Sequence, residues 1–309
     1  MKATRDAFGD ALLTAKELNK DILVVDCDLS VPTKTDKFRA MYPESFLQFG
    51  IQEANAIGAA AGLAVSGYRP FVCSFACFIT GRYDQIRISI ADNEAPVVIV
   101  GTHGGLAIGK DGTTQMGLED INLMRGLPGM SIIHPADYAE TLEAVKYIAL
   151  ARHPIYLRLC RQPVPEVNAS GYTFDFGRGV VLREGSDITL VATGGMVHIV
   201  LRVAEKLCLE DINTRVVNIH TLKPIDRVLI LESAKCTRGI VTVEDHNIYG
   251  GLGTAVAEII AEEGLPKKVV RLGVRDIFGE SADPKDLYQK HGLDEDSIYQ
   301  AVYSMYKRL

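Results

Sequence analysis

Glu53 is the one carboxylate in Phe49-Gly-Ile-Gln-Glu-Ala-Asn-Ala-Ile-Gly-Ala-Ala-Ala-Gly-Leu-Ala, a run otherwise built almost wholly of small and apolar residues. Alanine and glycine let another backbone, a neighbouring subunit or a flat ligand come close, so an acid there is placed for chemistry at a tight contact. It falls in the first turn of the predicted helix, after a short apolar strand over 46–50, where the helix dipole tolerates negative charge. A dry setting of that kind suits a carboxyl that works as an acid. The same residue also reads as an ordinary N-terminal glutamate on a packed helix. A second chemistry-bearing stretch is the glycine-rich Thr102-His-Gly-Gly-Leu-Ala-Ile-Gly-Lys-Asp-Gly-Thr-Thr, which follows a predicted strand over 97–101. Loops of this sort, at strand ends in α/β sheets, are where ligands are usually met.

The elements that must position these residues alternate along the chain. Ile22 to Val25, Phe71 to Ser74, Val97 to Gly101, Ser131 to Ile133 and Ile155 to Leu159 are short, β-branched and apolar on both faces, as parallel strands between helices are. Helical periodicity spans 80–92, 118–125 and 138–152. Arg161-Gln-Pro-Val-Pro-Glu-Val-Asn interrupts the alternation and sets a domain boundary near residue 168. Beyond it, strands over 188–192, 215–219, 239–243 and 268–272 alternate with helices over 196–209, 226–234 and 252–263. The expectation is an α/β protein of two doubly wound domains, 1–168 and 169–309, the first with a mainly parallel sheet.

The whole chain is consistent with this. Its 309 residues are 47% hydrophobic, enough for two cores. A net charge of −6 and scattered lysines and arginines leave no basic footprint for nucleic acid. No apolar run approaches the ~18 residues of a membrane-spanning helix, and the predicted location is cytoplasmic. The six cysteines show no metal-ligand spacing and read as reduced, buried thiols. The Gly250-Gly-Leu-Gly run lacks the third glycine of a dinucleotide fingerprint and reads as a helix N-terminus at an interface.

Gly50-Ile-Gln-Glu-Ala-Asn, the glycine-rich run and Phe278-Gly-Glu-Ser-Ala occur in an order that resembles the C-terminal half of transketolase, over nearly the whole chain. More closely, the chain looks like the smaller subunit of a split transketolase: a pyrimidine-binding domain followed by the transketolase C-terminal domain. The resemblance implies that Glu53 bonds a ring nitrogen of the aminopyrimidine of thiamine diphosphate, and that Phe75 and Phe78 line the same pocket. It implies that His103, with Glu53 a catalytic residue, meets the sugar near its reacting end or its phosphate, that Asp111 meets a substrate hydroxyl, that Arg161 holds the phosphate, and that Asp28 lies near the cofactor and the dimer interface. At one position the chain departs from the family. Asp111-Gly-Thr-Thr-Gln-Met puts Gln115 where transketolases usually have a histidine, and an amide cannot exchange a proton near neutral pH. Asp245 and His246, in the second domain, are assigned no chemistry.

The sequence contains no Gly-Asp-Gly, the motif that with a later asparagine holds Mg²⁺ and the diphosphate in this superfamily. The resemblance therefore implies that the chain owns only the pyrimidine half of the cofactor site. A separate diphosphate-binding subunit would bring Mg²⁺, in an assembly of two copies of each chain. The reaction implied is transfer of a two-carbon ketol unit from a ketose phosphate to an aldose. Alternative readings are the β subunit of a 2-oxo acid dehydrogenase, a deoxyxylulose-phosphate synthase-like enzyme, or a non-catalytic scaffold paralogue.

Overall fold

The computed structural model describes residues 1–169 and 171–309. Five all-buried or nearly all-buried strands build the first sheet: β1 (Ile22–Asp26), β3 (Arg69–Phe75), β4 (Val98–Thr102), β5 (Ser131–Ile133) and β6 (Ile155–Arg158). Each has buried apolar side chains facing both ways, which helices on both sides then cover. A short strand β2 (Phe46–Gln48) extends one edge in parallel with β1. The order is β5-β6-β4-β3-β1-β2, all parallel. The connections reverse direction between β1 and β3, so the strand ends there border a crevice of the kind that receives ligands.

The second half contributes β7 (Val180–Arg183), β8 (Ile188–Ala192), β9 (Thr214–Asn218), β10 (Thr221–Lys223), β11 (Gly239–Asn247) and β12 (Lys268–Val274). Its five-stranded sheet runs β12-β11-β8-β9-β7, parallel except for β7. Strand β10 leaves this sheet and pairs antiparallel with β5, making the first sheet seven-stranded. The two halves therefore share a sheet, and apolar clusters also run across the junction, with Ile132 and Tyr156 packed together with Ile219 and Leu222. Each such fully buried aliphatic side chain contributes about 1.5–3 kcal/mol.

The structure departs from the sequence reading in three places. The helix expected over 80–92 is broken into Ala76–Thr80, Tyr83–Gln85 and a π-helical turn Ile86–Ala91. Arg82 leaves helical geometry (φ −92°, ψ 42°), and the wider turn still buries both Ile86 and Ile90. The antiparallel strands β7 and β10 are short edge elements with no periodic signal of their own. All six cysteines are free, but Cys77 is only half-buried and Cys208 and Cys236 are exposed rather than buried, the last two because each ends a helix.

Candidate active site

The ends of β1, β3 and β4 converge with two helix starts. Helix Glu53–Val65 begins with Glu53, 5% exposed, and its buried face is Ala56, Ile57, Ala60, Ala61 and Ala64. These small side chains bring its axis close to β3. Among the described residues, the side-chain partner of Glu53 is Ser74, whose Oγ donates to Glu53 Oε1 at 3.0 Å. One carboxyl oxygen is thereby fixed.

Phe75 follows Ser74 on β3, and its ring stacks on that of Phe78 (centroids 5.5 Å apart, planes at 13°). His103, in the register position just beyond the Phe75–Thr102 pair, lies against Phe75 with centroids 3.9 Å apart. Phe75 is buried and Phe78 half-buried, so Phe78 carries the ring surface still open to a ligand. Stacking of a flat heteroaromatic on such a surface adds about 0.5–1.5 kcal/mol beyond burial.

His103 is 2% exposed and holds a left-handed backbone, φ 60°. Its Nδ1 is 2.8 Å from Thr102 Oγ1 and its Nε2 is 2.7 Å from Arg5 Nη1. Burial, reinforced by Arg5, Arg161 and Lys34, pushes its pKa down to about 3, so the ring is neutral at physiological pH. Sequence reading missed Arg5. It lies in the first turn of helix Thr4–Leu18, donates also to Pro32 O at 3.0 Å, and has its Nε buried without a partner. Nothing local in Met1-Lys-Ala-Thr-Arg marks it. The signal was only that a cation opens a helix whose N-terminal turn prefers acids.

Arg161 and Asp111 come together, Nη1 to Oδ2 at 2.7 Å, and the same Nη1 donates to Ile108 O at 2.8 Å. Both are partly exposed. Gln115 is half-buried in the turn Thr113–Gln115, just after Asp111. Asp28 stands apart: it is exposed, with φ 64°, and its N–H donates to Gln48 Oε1. The buried acid at that strand end is Asp26, which accepts from Thr35 Oγ1 at 3.0 Å and from Gln48 Nε2 at 2.9 Å.

Behind the site, a dry polar cluster docks the two halves. Arg158, at the end of β6, donates through Nε to Asp120 Oδ2 (2.7 Å) and through Nη2 to the carbonyls of Gly117 and Asp245 (3.0 Å each). Burial pushes the Asp120 carboxyl up, but Arg158, His246 and the Tyr156 hydroxyl together outweigh it and hold the carboxyl below the usual carboxylate range. Asp245 Oδ1 accepts the N–H of Leu106 at 2.8 Å, at the start of the turn Leu106–Asp111 that carries Asp111. Asp245 and His246 are thus structural groups of the junction. His246 is also buried, and burial lowers its pKa to about 4.

Residues 1–166 match the family described as transketolase, pyrimidine binding domain, and residues 177–298 match transketolase, C-terminal domain. The chain belongs to the transketolase family. It is 39% identical to a putative transketolase C-terminal section of Methanocaldococcus jannaschii, over 99% of this chain and 97% of that protein. It is 37% identical to the 6-deoxy-6-sulfo-D-fructose transketolase subunit SqwH of Clostridium sp. (strain MSTE9), over 98% of this chain and 94% of the relative. Among solved structures it is similar to a split gene transketolase described as an inactive beta4 tetramer, with TM-score 0.90 and 43% identity, over 99% of this chain and 98% of that one. As a transketolase-family chain of this extent, it corresponds to the C-terminal subunit of a split transketolase. Its α/β architecture is that of the pyrimidine-binding and C-terminal domains. Among the described residues, no helix is long and apolar enough to cross a membrane.

Proposed function

We propose that this chain supplies the pyrimidine half of a thiamine diphosphate site and, joined to a diphosphate-binding subunit, transfers a two-carbon ketol unit from a ketose phosphate to an aldose. The observation that carries this reading is the buried Glu53 carboxyl, held through one oxygen by Ser74, the strand residue next to Phe75, whose ring stacks on the half-buried Phe78. These residues fit an aminopyrimidine: an acid for the ring nitrogen and Phe78 for the ring face. When bound, thiamine diphosphate supplies a nucleophilic carbon that carries the two-carbon unit. Glu53 shares a proton with the ring nitrogen, Phe75 and Phe78 keep water from the ring, and His103, Asp111 and Gln115 orient substrate hydroxyls.

Arg5, in contact with His103, and Arg161 both bring positive charge to His103, a setting for a phosphate or similarly anionic sugar end. Gln115 can hydrogen-bond a hydroxyl without exchanging its proton. The outer face of helix Glu53–Val65, with Gly58 and Gly62 open and Val65 79% exposed, and Ile51 beside it at 78%, supports a close helix contact with another chain. In the proposed assembly there are two copies of each subunit, Mg²⁺ lies on the partner, and Asp28 borders the interface near the cofactor.

The test is reconstitution with the diphosphate-binding subunit and pentose phosphates, following sedoheptulose phosphate. Glu53→Gln is expected to cost ~10²-fold or more in kcat, the scale of lost acid–base function. CO₂ release from pyruvate or branched 2-oxo acids without sedoheptulose phosphate would overturn the reading in favour of a 2-oxo acid dehydrogenase or synthase. Full activity in Glu53→Gln would favour a non-catalytic scaffold.

A further inference from the structure

We propose that Arg5 is the positioning residue that fixes His103 as a neutral imidazole with its proton on Nδ1 and its lone pair on Nε2. An arginine side chain carries donors only. With Nη1 2.7 Å from Nε2, the imidazole must accept at that nitrogen, so its one proton lies on Nδ1. Nδ1–H then donates to Thr102 Oγ1 at 2.8 Å, and the Thr102 hydroxyl is left to donate to Ser74 O at 3.4 Å. Ser74 in turn donates its own hydroxyl proton to Glu53. Arg5, which cannot accept, thus sets the two bonds of the His103 ring, while the Thr102 and Ser74 hydroxyls donate to a carbonyl and to the Glu53 carboxyl, which accept in either case.

The ring has little freedom to escape this arrangement. It lies 3.9 Å from the ring of Phe75, on a backbone held at φ 60°. The charged groups facing it are Arg5, Arg161 and Lys34, the last paired with Asp6 at 3.2 Å. Together with burial these disfavour an imidazolium. An imidazole so held accepts at Nε2 and does not donate there. On the reading of this site as a sugar site, it can orient a substrate hydroxyl once Arg5 yields the lone pair, and it cannot protonate a substrate carbonyl.

The test needs no partner, cofactor or turnover, and so fails independently of the proposed reaction. The full chain, labelled with ¹⁵N at its seven histidines, is followed by long-range ¹H–¹⁵N correlation between pH 8 and pH 5, with His103 assigned by loss of its signals in His103→Gln. The expected result is the Nδ1–H pattern at His103 throughout, with no imidazolium at pH 5. Arg5→Met keeps the stem and removes the donor. It should give a mixture of tautomers and an apparent pKa raised by at least about one unit, with the other six histidines unchanged. Arg5→Lys should restore the wild-type pattern. Thr102→Val removes only the other partner and should leave the tautomer in place, which keeps the test decisive if Arg5→Met does not fold. An Nε2–H or charged ring in the wild type would overturn the proposal. So would an unchanged spectrum in Arg5→Met, or a switch to Nε2–H in Thr102→Val.

Discussion

Replacing Asp120 by asparagine removes one charge and almost no volume from a fully buried polar cluster. Asp120 and the Arg158 side chain are 0% and 1% exposed, and the carboxylate also accepts from Tyr156 OH at 2.6 Å. In Asp120→Asn the guanidinium keeps its carbonyl partners but loses its counter-charge in a place water does not reach. Breaking one side of a buried pair costs about 3–5 kcal/mol, because the remaining charge stays buried and uncompensated. For a chain of this size that corresponds to a melting temperature lower by roughly 5–8 °C. Arg158→Met should cost a similar amount, since it strands the carboxylate and also orphans the carbonyls of Gly117 and Asp245. The double variant should then be less destabilised than the two singles added together, with a coupling of about 2–3 kcal/mol. The assay is denaturation of all four proteins, followed both by circular dichroism and by tyrosine fluorescence so that separate unfolding of the halves would be seen. Additivity within about 0.5 kcal/mol, or a cost below about 1 kcal/mol for Asp120→Asn, the scale of an exposed pair, would refute the reasoning.

Gly105→Ala should be damaging for a different reason: the new Cβ would stand 2.2 Å from Asp245 Oδ2 on a backbone with φ +90°. The strained backbone alone costs about 1–3 kcal/mol, and thermal melting together with the reconstituted assay should show both lower stability and lost activity. Glu140, whose pKa burial raises to about 7, accepts from Ala136 N, Tyr172 OH and Asn218 Nδ2 across the junction. Its folded pKa lies above its unfolded value, so its contribution is fully present below the ordinary glutamate range and is lost as pH rises through 7. The Glu140 contribution should therefore fall by up to about 3 kcal/mol between about pH 5 and pH 8, read as the difference in urea-denaturation stability between wild type and Glu140→Gln across that range, since the buried histidines shift the total in the opposite sense.

Much of the architecture was legible because buried parallel strands are apolar on both faces. Val98 to Val100 or Ile188 to Val191 can be little else, and the βα alternation then implies doubly wound sheets. The edge strands were not legible. Thr221–Lys223 is three residues long, and it pairs with β5 only because the whole second half docks there. The break at Gly81 and Arg82 was equally hidden, since Ile86 and Ile90 read as one helical face whether the turn between them is α or π.

For the site, the sequence by itself determined which residue types were available: an acid among alanines, a phenylalanine pair, a histidine in a glycine-rich loop and an arginine after the last strand of the first half. Composition and order along the chain are enough for that, because each of these residues is unusual in its own local setting. Tertiary structure alone decided the partners. Arg5 and His103 are 98 positions apart, and Glu53 meets Ser74 across the gap between a helix start and a strand end. Those contacts set which nitrogen carries the proton and which carboxyl oxygen is held. A protonation state depends on burial and on neighbours a few ångströms away, and those neighbours are fixed only when the sheet brings distant segments to one edge.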